Sequence, residues 1–239
     1  MDLADFAAST FVIVIGSIVQ AVSGVGAGFL MVPMLAIIDL GLVPGPLIFG
    51  SLALSGIMTW RERAAIDRDK LGPMFIGLVP GAALGAWVLS IVPAAQLGIV
   101  FAVAILLSIA LTISGLDIRP TRQSSLIAGV VSGTMGAASG IGAPIVAILY
   151  QHASGPRVRS TLALIYTIAS LMIILALATF GRFGVHEAAA GAAMMPGFLF
   201  GYWVANRLRK RLELGATRPV VLGVSATAAL TLLIRSLAA

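Results

Sequence analysis

The charges of this chain sit in short gaps between long apolar runs. From Leu71 to Leu116 there is no Asp, Glu, Lys or Arg at all, and from Phe6 to Trp60 there is only Asp39. About 20 consecutive apolar residues cross the hydrocarbon of a bilayer as a helix. A water-soluble domain carries about a quarter of its residues as charge, against 10% here. The alternation of about ten residues that marks a transmembrane barrel is absent. The chain reads as an all-α polytopic membrane protein, one transmembrane domain over residues 1–239. Its net charge of +6 is spread through loops, so it is an orientation signal and not a nucleic-acid footprint. There is no cysteine, hence no disulfide and no thiolate metal site, and no cofactor is expected. The start, Met1-Asp2-Leu3-Ala4-Asp5, is acidic where a signal peptide is basic, and is expected to be retained.

Two glycine-rich stretches break the apolar runs in the same way. Ser23-Gly24-Val25-Gly26-Ala27-Gly28 is followed 116 residues later by Ser139-Gly140-Ile141-Gly142-Ala143-Pro144. The same offset superposes Pro80-Gly81 on Pro196-Gly197, Gly85 on Gly201, and Trp87-Val88 on Trp203-Val204. Apolar chains match themselves readily through Ala, Leu and Val, but there are only three tryptophans. We therefore read a duplication, residues 1–118 and 119–239, of the kind that underlies many transporters.

Each half is expected to hold five apolar segments. They run over 6–23, 27–42, 43–60, 71–92 and 95–116, then 124–139, 143–153, 158–180, 187–206 and 219–237. The first two of each half flank the glycine turn, either as two short steep spans or as a re-entrant hairpin. The basic residues test this. If each hairpin returns to the side it left, thirteen of the fifteen lie on one side, leaving Arg182 and Arg235 on the other. If each were one broken spanning helix, the split would be eight to seven. The positive-inside rule selects the first arrangement. It makes the two halves inverted relative to each other and puts both termini outside. Arg207–Arg211 reads as an anchor that contacts anionic lipid, and Trp60, Trp87 and Trp203 as interfacial residues.

A glycine break in a membrane helix frees backbone groups that survive only inside protein or beside a wet cavity. The helix that restarts after it presents unpaired N–H groups, which suit an anion. The candidate binding residues are therefore Ser23, Gly24, Gly26, Ala27 and Gly28 in the first turn. Their counterparts in the second are Ser139, Gly140, Gly142 and Ala143. Gln20, one turn earlier, is the most polar residue of its segment, and its repeat partner is Gly136. Ser51, Ser55, Thr167 and Ser170, on the third segments, are candidates for the same cavity wall. Close packing of small residues is the competing explanation of the glycines.

The run from Ser23 to Pro33, Gly-x-Gly followed by small residues, an apolar stretch and a proline, is echoed in the second half. It resembles the sulfite exporter TauE/SafE family of membrane permeases, and the likeness extends over nearly the whole chain. That resemblance implies transport of sulfur-containing anions such as sulfite or organosulfonates, in a bacterial cytoplasmic (inner) membrane. No buried Asp or Glu is evident to carry a coupling proton or bind Na⁺. The inside-negative potential favours outward movement of an anion by about 2.3 kcal/mol per charge per 100 mV. The expected activity is thus export by alternating access, with small anions and membrane lipid as partners, no nucleic acid, and homo-oligomers left open. A channel-like anion pathway and a non-transporting scaffold are the alternatives. An intramembrane serine protease fits badly. Ala137 stands where a glycine belongs before Ser139, His152 and His186 lie near segment ends, and no His-Glu-x-x-His pattern exists.

Overall fold

The computed structural model describes residues 3–24, 28–69, 71–152, 155–208 and 217–238. Among these there is no strand. Ten α-helices follow one another: α1 Leu3–Ser23, α2 Gly28–Ile38, α3 Gly45–Arg61, α4 Leu71–Ile91 and α5 Leu97–Ile113, then α6 Arg122–Ser139, α7 Ala143–Leu149, α8 Gly155–Thr179, α9 Val185–Leu208 and α10 Thr217–Ala238. The breaks fall where the sequence supplies glycine, proline or charge. Thr121 caps α6, its hydroxyl accepting the Ser124 N–H while the Ser124 hydroxyl accepts that of Thr121, which satisfies two otherwise orphan donors.

Among the described residues, α1, α4, α8 and α9, and α5 together with the 3-10 turn that leads into it (Ala94–Ile113), are long and apolar enough to span a bilayer. Five such helices make this a multi-pass membrane protein. Helix α6 has 18 residues, but four serines and three glycines dilute its hydropathy. It compensates by burying that polar, small-residue face against α4. A β-carbon on Gly77, Gly81 or Gly85 would collide with the carbonyl oxygen of Leu126, Val130 or Thr134 respectively, and one on Gly129 with that of Met74. Such close approach lets van der Waals contact, rather than apolar area, hold membrane helices together. A similar seam joins α1 to α9, where Gly197 rests on Ile13 and Gly201 on Val14 and Ser17.

The sequence predicts segments over 27–42 and 143–153, but the helices found there are shorter. α2 has 11 residues and α7 has seven. At about 1.5 Å per residue, neither crosses some 30 Å of hydrocarbon. α1, at 21 residues, does. The first hairpin nonetheless returns: Phe6 and Ser9 of α1 line one small cavity with Leu42, just beyond α2.

Directions follow from the contacts. Residues 77, 81 and 85 meet 126, 130 and 134, so α4 and α6 run parallel. α3 and α9 also run parallel, since Gly45 meets Glu187, Gly50 meets Met194, and the Arg61 guanidinium lies 5.9 Å over the Tyr202 ring. Arg159 on the first turns of α8 bonds Glu62 beside the end of α3. Gly98 at the start of α5 meets Ser236 at the end of α10. The described basic residues on and between these ends, Arg61, Arg63, Arg68, Arg119, Arg122, Arg157, Arg159 and Arg207, therefore gather at one end of the bundle. Arg182 and Arg235 are at the other. Lys70, Arg209, Lys210 and Arg211, and the side chain of Arg218, lie outside the described residues. Trp60, Trp87 and Trp203 are all exposed on the outer surface.

Candidate functional site

Both glycine breaks use the left-handed backbone that glycine alone adopts freely. Gly24 has φ +72° and Gly140 has φ +83°. The Gly24 N–H donates to the Gln20 carbonyl at 2.8 Å and the Gly140 N–H to that of Gly136 at 2.7 Å. The serines before them are engaged alike. The Ser23 hydroxyl donates to the Val19 carbonyl at 2.7 Å, and the Ser139 hydroxyl to that of Met135 at 2.8 Å. Each serine thus bonds back to its own helix one turn earlier, a habit of serine near helix ends.

The two breaks are neighbours in space. A β-carbon on Gly28, at the start of α2, would stand 3.2 Å from the Gly140 carbonyl oxygen. The start of the second turn in turn rests on Val32, Pro44 and Leu47. On the other side, Gly24 abuts the backbone of Arg159. Where the breaks approach, a cavity of about 90 Å³ opens. That is room for a few waters or one small ion.

Of the residues singled out from the sequence, the cavity brings together Gln20, Gly28, Ser51, Gly140, Gly142 and Ala143, and with them Ser170. It does not bring in Ser23, Gly24, Ser139, Ser55 or Thr167. Gly26 and Ala27 lie outside the described residues. Thr167 misses the wall by helix rotation: α8 presents Tyr166, Ala169, Ser170 and Ile173 to the cavity, the spacing of one helix face. Thr167 instead meets Thr59 of α3, hydroxyl to hydroxyl at 3.1 Å. Ser55 is buried and donates to the Ser51 carbonyl at 3.1 Å.

Sequence reasoning passes over Ser132 and Tyr166. Ser132, one turn before Gly136 on α6, donates to the Gly142 carbonyl at 2.8 Å and pins the second break to its own helix. Its spacing from Gly136 and Ser139, that of one helix face, is the signal that could have found it.

Two wall residues are chemically unspent. Gln20 and Ser170 are each only 8% exposed, and among the described residues neither side chain has a hydrogen-bond partner. Buried polar groups are ordinarily bonded, so these two are donors waiting for water or a ligand. Among the described residues no Asp, Glu, Lys, Arg or His lines the cavity, and no cluster of metal-ligating side chains exists. The nearest ion pair to the first break is Arg159 with Glu62, the guanidinium Nε lying 3.0 and 2.9 Å from the two carboxylate oxygens. Beyond it, the Asp67 N–H donates to the Thr161 hydroxyl at 2.9 Å, tying the α3–α4 loop to α8.

Over residues 9–232 the chain matches the family described as Sulfite exporter TauE/SafE. No curated protein and no solved structure matches it.

Proposed function

Because the chain belongs to the sulfite exporter TauE/SafE family, we propose that it is a membrane permease for small sulfur-containing anions of the sulfite or organosulfonate type. The substrate sits between the two glycine breaks. The observation that carries this reading is the meeting of Gly28 with the Gly140 carbonyl at a cavity whose largely apolar wall carries two buried donors, Gln20 and Ser170, unpartnered among the described residues.

The contacts also support an inverted repeat. Exchanging the first five helices for the last five turns α4 against α6 into α9 against α1, α3 against α9 into α8 against α4, and α2 against α10 into α7 against α5, and each of these pairs is in contact. With α4 parallel to α6, α3 parallel to α9, α1 parallel to α9 (Gly197 on Ile13, Gly201 on Ser17), and α3 joined to α4 by a short loop, α1 and α6 point in opposite directions. Rocking of one such half against the other would expose the cavity to each side in turn. The arginine-rich end is the cytoplasmic one, which puts both termini outside a bacterial inner membrane. Export follows from the membrane potential acting on an anion with no acidic residue on the cavity wall. The Arg-rich cytoplasmic end contacts anionic lipid, and the exposed apolar surface leaves room for homo-oligomers.

Reconstituted into liposomes, the protein should move sulfite or a sulfonate with saturable counterflow. A hydrogen bond to a charged group contributes about 1.5–3 kcal/mol, so Gln20→Ala should lower the flux about 10- to 100-fold. Movement of no anion, or a Gln20→Ala protein with unchanged kinetics, would sink the proposal. Unsaturable flux without counterflow would replace the permease by a channel.

A further inference from the structure

The wall of the cavity says how much charge it can hold. Among the described residues all its polar groups are neutral: the Gln20 amide, the hydroxyls of Ser51, Ser132, Ser170 and Tyr166, and backbone. The Ser51 and Ser132 hydroxyls already donate to the Ile48 and Gly142 carbonyls. Gln20 and Ser170 remain, over nine-tenths buried and unpartnered among the described residues, beside the first turn of α2, whose amides lack intrahelical acceptors. The nearest guanidinium on α8, Arg159, is seven residues before Tyr166, about 10 Å along the helix, and is already paired with Glu62.

Removing an ion from water costs free energy that rises with the square of its charge. What neutral dipoles return rises only in proportion to the charge. Doubling the charge therefore quadruples the cost and doubles the return. A site with a positive side chain can offset a second charge; this one has none on its wall.

We propose that the cavity selects by charge number, admitting singly charged oxyanions and rejecting dianions. Hydrogensulfite and alkylsulfonates enter; sulfate and fully ionised sulfite do not. This rests on the transport reading above and narrows its substrate class.

The test uses the full-length protein in liposomes with methanesulfonate and sulfate, near-equal tetrahedral ions that differ in charge at every working pH. Sulfite is measured alongside them at mildly acid and mildly alkaline pH, either side of its second ionisation. Methanesulfonate should exchange at least about tenfold faster than sulfate, and flux per total sulfite should fall as pH rises. Gln20→Lys, which puts a cation on the wall, should raise sulfate exchange severalfold relative to methanesulfonate. The wild-type comparison decides the matter even if that variant folds poorly. Sulfate exchanging as fast as methanesulfonate, or sulfite flux that holds or rises with pH, overturns charge selection and leaves transport standing. Failure of all three anions to move overturns transport itself.

Discussion

At the scale of single residues, the two serine–glycine pairs separate a structural role from a binding one. Ser23 and Ser139 spend their hydroxyl protons on Val19 and Met135, so the double replacement Ser23→Ala with Ser139→Ala should change flux far less than Gln20→Ala. The comparison is one counterflow assay on both proteins. Gly24 is different again. Its φ of +72° disfavours any β-carbon, and one placed there would lie 2.9 Å from the Arg159 Cα. Gly24→Ala should cost about 1–3 kcal/mol from backbone strain alone, read as a lower unfolding temperature in detergent. Tyr150, at the end of α7, has a buried hydroxyl with no partner among the described residues. Burial, with Asp67 and Asp69 adding to it, pushes its pKa up to about 12. The fold therefore holds the neutral phenol, while the unfolded chain titrates near 10. Stability that is whole below pH of about 10 should drain away as the pH climbs toward 12. Tyr150→Phe should flatten that alkaline loss and, by removing an orphan hydroxyl, leave neutral-pH stability equal or higher. Thermal unfolding across the alkaline range checks both.

At the scale of elements, the seams α4–α6 and α1–α9 explain how polar, glycine-rich helices are held in lipid. The glycines at four-residue spacing on α4 are legible in the sequence as tight packing, and the repeat offset carries Gly81 and Gly85 onto Gly197 and Gly201. What the sequence could not supply was the partner, because several helices of this chain are rich in small residues and a seam is defined by both faces. Rotation was equally hidden. Thr167 and Tyr166 are adjacent in the chain, yet one meets Thr59 and the other the cavity, and only the packing of α8 against α3 decides which. The lengths of α2 and α7 depended on where the chain turned after the glycines, in sequence apolar enough to continue. Overpacking a carbonyl-to-glycine contact forces the helices apart, at a typical cost of about 1–3 kcal/mol per site. Gly81→Leu should accordingly lower the unfolding temperature well below that of Gly72→Leu, whose position is open. Equal losses for the two would mean the seam contributes nothing.

At the scale of the whole molecule, the distribution of arginine ties the sequence to the bundle. A returning hairpin in each half was the premise that put thirteen basic residues on one side. Parallel α4 and α6, parallel α3 and α9, and the Arg159–Glu62 pair bring the described members of that set to one end. Cations near helix ends cross the membrane poorly during insertion, so charge and geometry have to agree. The chain contains no cysteine, which makes the arrangement directly measurable. Single cysteines at Arg63, Arg122 and Arg157 should resist an impermeant maleimide in intact cells and react after permeabilisation, whereas one at Arg182 should react in intact cells. Arg182 donates to the Ser90 and Val92 carbonyls at 3.1 and 3.0 Å, so a cysteine at neighbouring exposed Phe180 serves as a second reporter that leaves this bond in place. Labelling of the first three from outside would reverse the orientation and, with it, the direction in which the membrane potential drives the anion. Labelling at Arg157 unlike that at Arg122 would mean that the second hairpin does not return, and the inverted repeat would fall with it.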